Sequence, residues 1–163
     1  MISEYINNID KNNIVVCDPI KNSIIQYSSF YKLIYTNEII TMNGIYILFD
    51  LNNVKICIDK ITFDISSNYD IIDKLSQLEE YLLNLLWYNN KYKYRKISEF
   101  MNNGNIKYTF IDSNINTLEY SNKKTLTTAK IILKISGIWE SGDNIGLTFK
   151  IILVNDTIDL AIC

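Results

Sequence analysis

The sequence contains no histidine. That removes Ser-His-Asp and Cys-His catalysis, histidine-ligated zinc or iron, and a histidine general base. Glycine is scarce, with five residues at Gly44, Gly104, Gly137, Gly142 and Gly146. They form neither GxxxxGK[ST] nor GxGxxG, so the common nucleotide-binding loops find no support. Cysteines are three and far apart, Cys17, Cys57 and Cys163. An odd, scattered set makes neither a disulfide framework nor a zinc motif, and reads as small hydrophobes in a reducing compartment. No stretch approaches the ~18 continuous apolar residues of a membrane span. The start, Met-Ile-Ser-Glu-Tyr, has neither the basic residues nor the apolar run of a signal peptide. These absences predict an intracellular protein without metal, cofactor or membrane association, and not a conventional enzyme.

Alanine is nearly missing too (Ala129 and Ala161), and Arg95 is the one arginine. What fills the chain instead is about 30 isoleucines, about 20 asparagines and 12 tyrosines. AT-rich codons encode these residues, so part of the bias is mutational. Its structural consequence is real all the same: Ile and Tyr favour strands, and the best helix former is absent. With 163 residues, 48% hydrophobic and 21% charged, the chain reads as one globular domain over 1–163, β-rich, with a real core.

Residues 1–13 are polar and Asn-rich, which predicts a loosely ordered start, and Asn155 to Cys163 reads as a short tail. Ile14 to Cys17 is a short apolar run ended by Asp18-Pro19. Strand-like segments follow at Ser23 to Thr36 and at Ile39 to Leu51. Asn52-Asn53 then reads as a hairpin turn into a third strand, where Val54, Ile56 and Ile58 alternate with polar neighbours, resuming at Ile61, Phe63 and Ile65. The period changes after Ser66-Ser67-Asn68, which offers N-cap residues with Asp70 in the first turn. Ile71, Leu75, Leu78, Leu82 and Leu85 recur at spacings of four and three, one face of a helix running to about Trp87. A short helix is expected at Ile97 to Met101 and strands at Asn105 to Ile111 and Thr125 to Ile135. A terminal hairpin, Ile131 to Trp139 and Ile145 to Val154, closes the chain. Three strands, one long helix, then further strands is the order of the five-stranded OB barrel, whose helix lies between strands 3 and 4. Other β-rich α+β sheets share it.

Charge is unevenly placed. The net is −2, but residues 1–88 sum to −5, residues 89–134 to +6 and residues 135–163 to −3. Within the basic middle sits Lys91-Tyr92-Lys93-Tyr94-Arg95-Lys96. Cations interleaved with aromatics suit single-stranded nucleic acid: cations neutralise phosphates, and flat rings stack on unpaired bases. In an extended segment Tyr92 and Tyr94 share one face, with Lys91, Lys93 and Arg95 on the other. The bland alternative is a solvated loop with Tyr and Lys supplied by codon bias.

The terminal segment Ile135-Ser136-Gly137-Ile138-Trp139, a polar turn, then Ile145-Gly146-Leu147-Thr148-Phe149-Lys150 resembles the closing strands of OB-fold single-stranded-DNA-binding proteins of large DNA viruses and phages. The matching positions are Trp139, Gly146, Phe149 and Lys150. An upstream segment, Phe30-Tyr31-Lys32-Leu33-Ile34-Tyr35, is compatible with it. The resemblance implies sequence-independent binding of single-stranded DNA in viral DNA replication or recombination, with replication proteins and further copies of the chain as candidate partners. Tyr31, Tyr35, Tyr92, Tyr94 and Trp139 would stack on bases, and Lys32, Lys91, Lys93, Arg95, Lys96 and Lys150 would track phosphates. Phage members end in a strongly acidic tail. Here the tail carries only Asp156 and Asp159, which puts that route of partner recruitment in doubt. For Trp139 and Phe149 the structural alternative is a core pair closing the barrel, with Gly146 marking a close backbone approach. Two other functions compete: a protein-interaction or virion structural module, and a carboxylate-only metal enzyme using Asp50, Asp59 and Asp64.

Overall fold

The computed structural model describes residues 2–21, 27–57, 60–87, 90–110 and 124–154. The fold is β-rich α+β. The strands are β1 (Glu4–Tyr5), β2 (Ile14–Lys21), β3 (Ser28–Thr36), β4 (Thr41–Met42), β5 (Ile45–Ile56), β6 (Lys60–Phe63), β7 (Tyr92–Tyr94), β8 (Asn105–Lys107), β9 (Thr109–Phe110), β10 (Lys124–Ser141) and β11 (Asn144–Leu153). They form one sheet in the order β2-β3-β10-β5-β6-β8, with β11 on the far side of β10. Among the described residues no ladder joins β2 to β8, so that path is open, while β8 pairs with β6 and β9, one residue further on, pairs with β11. The expected loosely ordered start holds one short parallel pairing, β1 on β5 at Glu4–Ile47 and Tyr5–Leu48.

Strand β10 organises the sheet. Its 18 residues pair along one edge first with β5, from Lys124–Ile56 to Ile135–Ile45, and then with β3, from Gly137–Lys32 to Ser141–Ser28. Its other edge pairs with β11 through the tight turn at Gly142-Asp143. The inner face is continuous: Ile45, Ile47, Phe49 and Leu51 of β5 with Ile131, Leu133, Ile135 and Ile138 of β10 are all buried in one cluster. Asn52-Asn53 is not a hairpin turn. Strand β5 runs straight through it, with Asn53 at φ 54°. Asn tolerates the left-handed region better than most residues. Here it lets Leu51 and Val54 both face inward with two exposed residues between them, so the alternation changes phase without breaking the ladder.

Helix α1 (Tyr69–Asn84) lies against the inner face, and a second helix, α2 (Lys96–Asn102), packs beside it. Leu75, Leu78 and Leu82 are buried as the spacing predicts, joined by Ile72 and Leu83 instead of Ile71 and Leu85. The seam is thus rotated slightly about the helix axis, and α1 stops at Asn84, short of Trp87. Each fully buried leucine there contributes about 1.5–3 kcal/mol, and truncating one such as Leu82 to Ala costs about 2–5 kcal/mol. The start of α1 is not held by an Asn68 cap. Asp64 accepts hydrogen bonds from Ser66 Oγ at 2.6 Å and Ser67 N at 2.8 Å. These bonds, led by the Ser66 and Ser67 hydroxyls, hold its carboxyl at about 2. The buried Asn68 instead receives Asn52 N at 2.8 Å and donates to Asn52 O at 2.9 Å, tying helix to sheet. No helix among the described residues is long and apolar enough to cross a membrane.

Candidate nucleic-acid interface

The outer face of the sheet is decided by one irregularity in β10. From Ile131, Leu133 and Ile135, simple alternation would turn Gly137 and Trp139 inward. The register with β11 shifts between Ile135 and Gly137, however, a bulge at Ser136. One extra residue reverses the facing of everything beyond it. Ile138 therefore points into the core and Trp139 to the outer face. The core-pair alternative for Trp139 and Phe149 is overturned: Phe149 packs on the other side, edge-on to Phe100 at 6.1 Å between ring centroids.

Directly opposed residues in neighbouring strands share a face. Reading across the ladders at Trp139 gives Ile20 on β2, Phe30 on β3, Trp139 on β10, Gly146 on β11 and Tyr94 on β7. Five strands at about 4.8 Å make this row about 19 Å wide. The two glycines shape it. A Cβ on Gly146 would sit 2.5 Å from Trp139 Cζ2 and 2.8 Å from its Nε1, so the indole lies on the bare backbone there. A Cβ on Gly137 would meet Phe30 Cε2 at 2.9 Å, so Phe30 covers that position likewise. Next to Trp139, the Tyr94 ring stands 5.6 Å away at 41°, and Tyr92 meets Tyr94 edge-on at 4.8 Å. Tyr92 is 65% and Tyr94 36% exposed.

Further along the same face come Lys32 and Thr148 beside Gly137, then Lys134 and Lys150 opposed to each other with Tyr46 alongside. Lys134 Nζ lies 5.1 Å from the Tyr46 ring centroid. Lys32, Lys134 and Lys150 form no ion pair among the described residues. Three ammonium groups without an ion pair among the described residues thus continue the aromatic row, with Asp18 in the β2 bulge opposite Lys32.

The Lys91–Lys96 segment behaves differently from its sequence reading. Tyr92 and Tyr94 do share a face, but the cations between them are engaged within the protein. Lys91 pairs with Glu140 and donates to Gly142 O at 2.9 Å. Lys93 donates to Glu80 Oε1 at 3.2 Å and to Asn84, and Arg95 lies 2.6 Å from Glu80 Oε2. Lys96 pairs with Glu99 at 2.7 Å, a hydrogen bond that raises the ammonium pKa. Burial pushes the Glu80 carboxyl up, but hydrogen bonds from Asn84 and Lys93 and the charges of Arg95 and Lys93 prevail and hold it below its ordinary value. A shallow groove of about 590 Å³ opens among Lys91, Tyr92, Lys93, Arg95 and Glu99.

No protein-family model, curated protein or solved structure matches the chain.

Of the other expected site residues, Tyr35 is a core residue, 2% exposed, with its hydroxyl accepting from Asp10 N at 3.3 Å. It is closed to any ligand. Tyr31 lies on the inner side of β3 and donates to Glu140 at 3.1 Å. The structure therefore gathers Lys32, Tyr92, Tyr94, Trp139 and Lys150 on one surface, turns Tyr31 and Tyr35 inward, and leaves Lys91, Lys93, Arg95 and Lys96 near the tyrosines but engaged by carboxylates. Sequence reasoning missed Phe30 and Lys134 as site residues. The signal for Lys134 was its alternation with the apolar Leu133 and Ile135, which turns it to the other face; for Phe30, its position two residues before Lys32. Of the carboxylates considered for metal chemistry, Asp64 accepts from Ser66 and Ser67 in the turn ahead of α1, Asp50 is opposed to Lys130, and Asp59 lies outside the described residues. No cluster of metal-ligating side chains occurs among the described residues.

Proposed function

We propose that the protein binds single-stranded DNA without sequence preference, on the outer face of the sheet. The observation that carries this is one surface holding flat-lying and exposed rings (Phe30, Trp139, Tyr94, Tyr92) in line with three lysines (Lys32, Lys134, Lys150) that form no ion pair among the described residues. Rings that stack on bases need no particular base, since every base offers a π-face, and each stack contributes about 1–3 kcal/mol. Lysines at a distance from the rings along the strands would follow the phosphates. Three such contacts predict a salt dependence of about −2 in log K against log[salt], from about −0.7 per phosphate on a single strand. The reading assigns the chain no chemical step. A part in viral DNA replication or recombination belongs to the same proposal, supported by the terminal-segment resemblance and the AT-rich composition. So does an OB-like barrel, supported by the way β10 crosses from β5 to β3.

The test is fluorescence anisotropy with a labelled dT oligomer of about 30 nucleotides, longer than any single site of this kind, at low and high salt, with duplex as control. Tight, salt-sensitive binding that Trp139→Ala weakens supports the proposal. The absence of any binding at low salt overturns it.

A second reading, a protein-interaction module, has its own observation. Ile20 is 60% exposed beside Phe30, and the cations of the Lys91–Lys96 segment are matched by carboxylates. Its outcome in the same experiments is no DNA shift and a defined multimer in gel filtration.

A further inference from the structure

We propose that Glu80, seconded by Glu79, is the positioning residue of the tyrosine arm, holding Tyr92 and Tyr94 against the Trp139 ring. The inference rests on the binding reading for its function, but its geometry stands alone. Strand β7 has three residues and pairs in parallel with β11. A ladder that short does not hold itself in place, and no residue of β7 is buried. Its start is held at the β10–β11 turn, by Lys91 on Glu140 and by Tyr92 N on Asp143 O at 2.7 Å, and the rest of it from α1. Tyr92 and Tyr94 alternate with Lys93 and Arg95, so whatever anchors the two cations on the inner side directs the two rings to the outer side.

Glu80 is that anchor. Its Oε1 receives Lys93 at 3.2 Å and its Oε2 faces Arg95 at 2.6 Å. Glu80 Oε2 is buried and makes no hydrogen bond of its own, so the carboxylate is balanced by the charges of Arg95 and Lys93. Asn84, one turn later on α1, steadies the same carboxylate from its side-chain amide at 2.9 Å. The neighbouring Glu79 is buried and holds the far end of the arm, accepting from Ile97 N at 2.9 Å and Ser98 N at 2.8 Å at the start of α2. Two consecutive carboxylates on one rigid helix thus grip residues 93 to 98 at both ends.

The sign of one substitution separates this role from plain electrostatics. Glu80→Gln removes a negative charge and releases Lys93 and Arg95, which by charge alone strengthens DNA binding. If Glu80 positions the arm, the same change weakens binding, because a ring leaves its place beside Trp139. The experiment uses full-length protein carrying Trp87→Phe, so that Trp139 is the one tryptophan. It reads acrylamide quenching of Trp139 and anisotropy with the dT oligomer. Asp70→Asn, which breaks the Lys74 pair on the same helix with the same change of charge, is the control.

The expected result for Glu80→Gln is increased quenching and about a tenfold loss of affinity, the loss of one base–ring stack, with Asp70→Asn at wild-type values. Unchanged quenching, or affinity that stays level or rises, overturns the proposal. Should Glu80→Gln fail to fold, Lys93→Gln with Arg95→Gln breaks the same pairs from the strand side and must likewise raise quenching. If the parent protein binds no DNA, the binding reading falls while quenching still decides the clamp.

Discussion

Replacing Gly146 by Ala probes whether the Trp139 ring lies on the sheet. The new methyl carbon would stand 2.5 Å from Cζ2, 2.7 Å from Cε2 and 2.8 Å from Nε1 of Trp139, where ordinary contact begins about 1 Å further out. No backbone atom is among these nearest neighbours, so the ring can yield by lifting toward solvent. The penalty should fall in the lower half of the usual 1–3 kcal/mol for overpacking, about 1–1.5 kcal/mol. For a chain of this size that is a fall in Tm of about 2–6 °C. The lifted ring also loses its alignment with Tyr94, so single-strand affinity should drop about five- to tenfold, roughly one stack. The assays are thermal unfolding, Trp139 emission in a Trp87→Phe background, and anisotropy. If Gly146→Ala leaves Tm and Trp139 emission at the parent values, the indole does not occupy that position. The bulge argument that turned it outward then fails with it.

Gly137→Ala should be more damaging than Gly146→Ala, by about 2–3 kcal/mol in unfolding free energy, because its methyl would also meet the Tyr31 carbonyl oxygen at 2.5 Å and backbone cannot lift away; equal Tm losses for the two variants would refute this. Lys150→Gln should reduce the salt slope of single-strand binding by about 0.7, and an unchanged slope would remove Lys150 from the phosphate path. The Asp64 carboxyl is held at about 2 against an ordinary 3.8. A depressed carboxyl stabilises the fold above its unfolded pKa, and that contribution is lost as pH falls through the folded value. The Tm difference between the parent and Asp64→Asn should therefore be constant above about pH 4 and vanish toward pH 2. A difference that persists at pH 2 would show that the hydrogen bonds to Ser66 and Ser67 are not what the carboxylate contributes.

Much of the local structure was legible in the residues. The four-and-three spacing from Ile71 to Leu85 marked α1, because a helix must bury one stripe. The alternation through Ile45, Ile47 and Phe49 marked β5, and the terminal hairpin declared itself through its polar turn. The errors lie where a local signal had two meanings. Asn-Asn suits a hairpin turn, but it equally suits a left-handed residue inside a strand, and β10 held β5 straight through it. Tyr35 and Tyr92 look alike in the chain. One is sealed in the core while the other is 65% exposed, a difference set by which sheet face covers each.

By itself the sequence determined the strand-rich composition, the position of the long helix and the local +6 charge. These depend on residue identity and short periods, which neighbours in the chain decide. Only the tertiary structure decided which of the described cations form ion pairs and which way Trp139 faces. Lys91 meets a carboxylate 49 residues away and Lys93 one 13 residues away, so the basic segment that was most conspicuous in sequence is largely neutralised in space. Lys32, Lys134 and Lys150, scattered over more than a hundred residues, come together on one surface. A single extra residue at Ser136 sets the facing of the rings, and a period of two carries no mark of where such a bulge will fall.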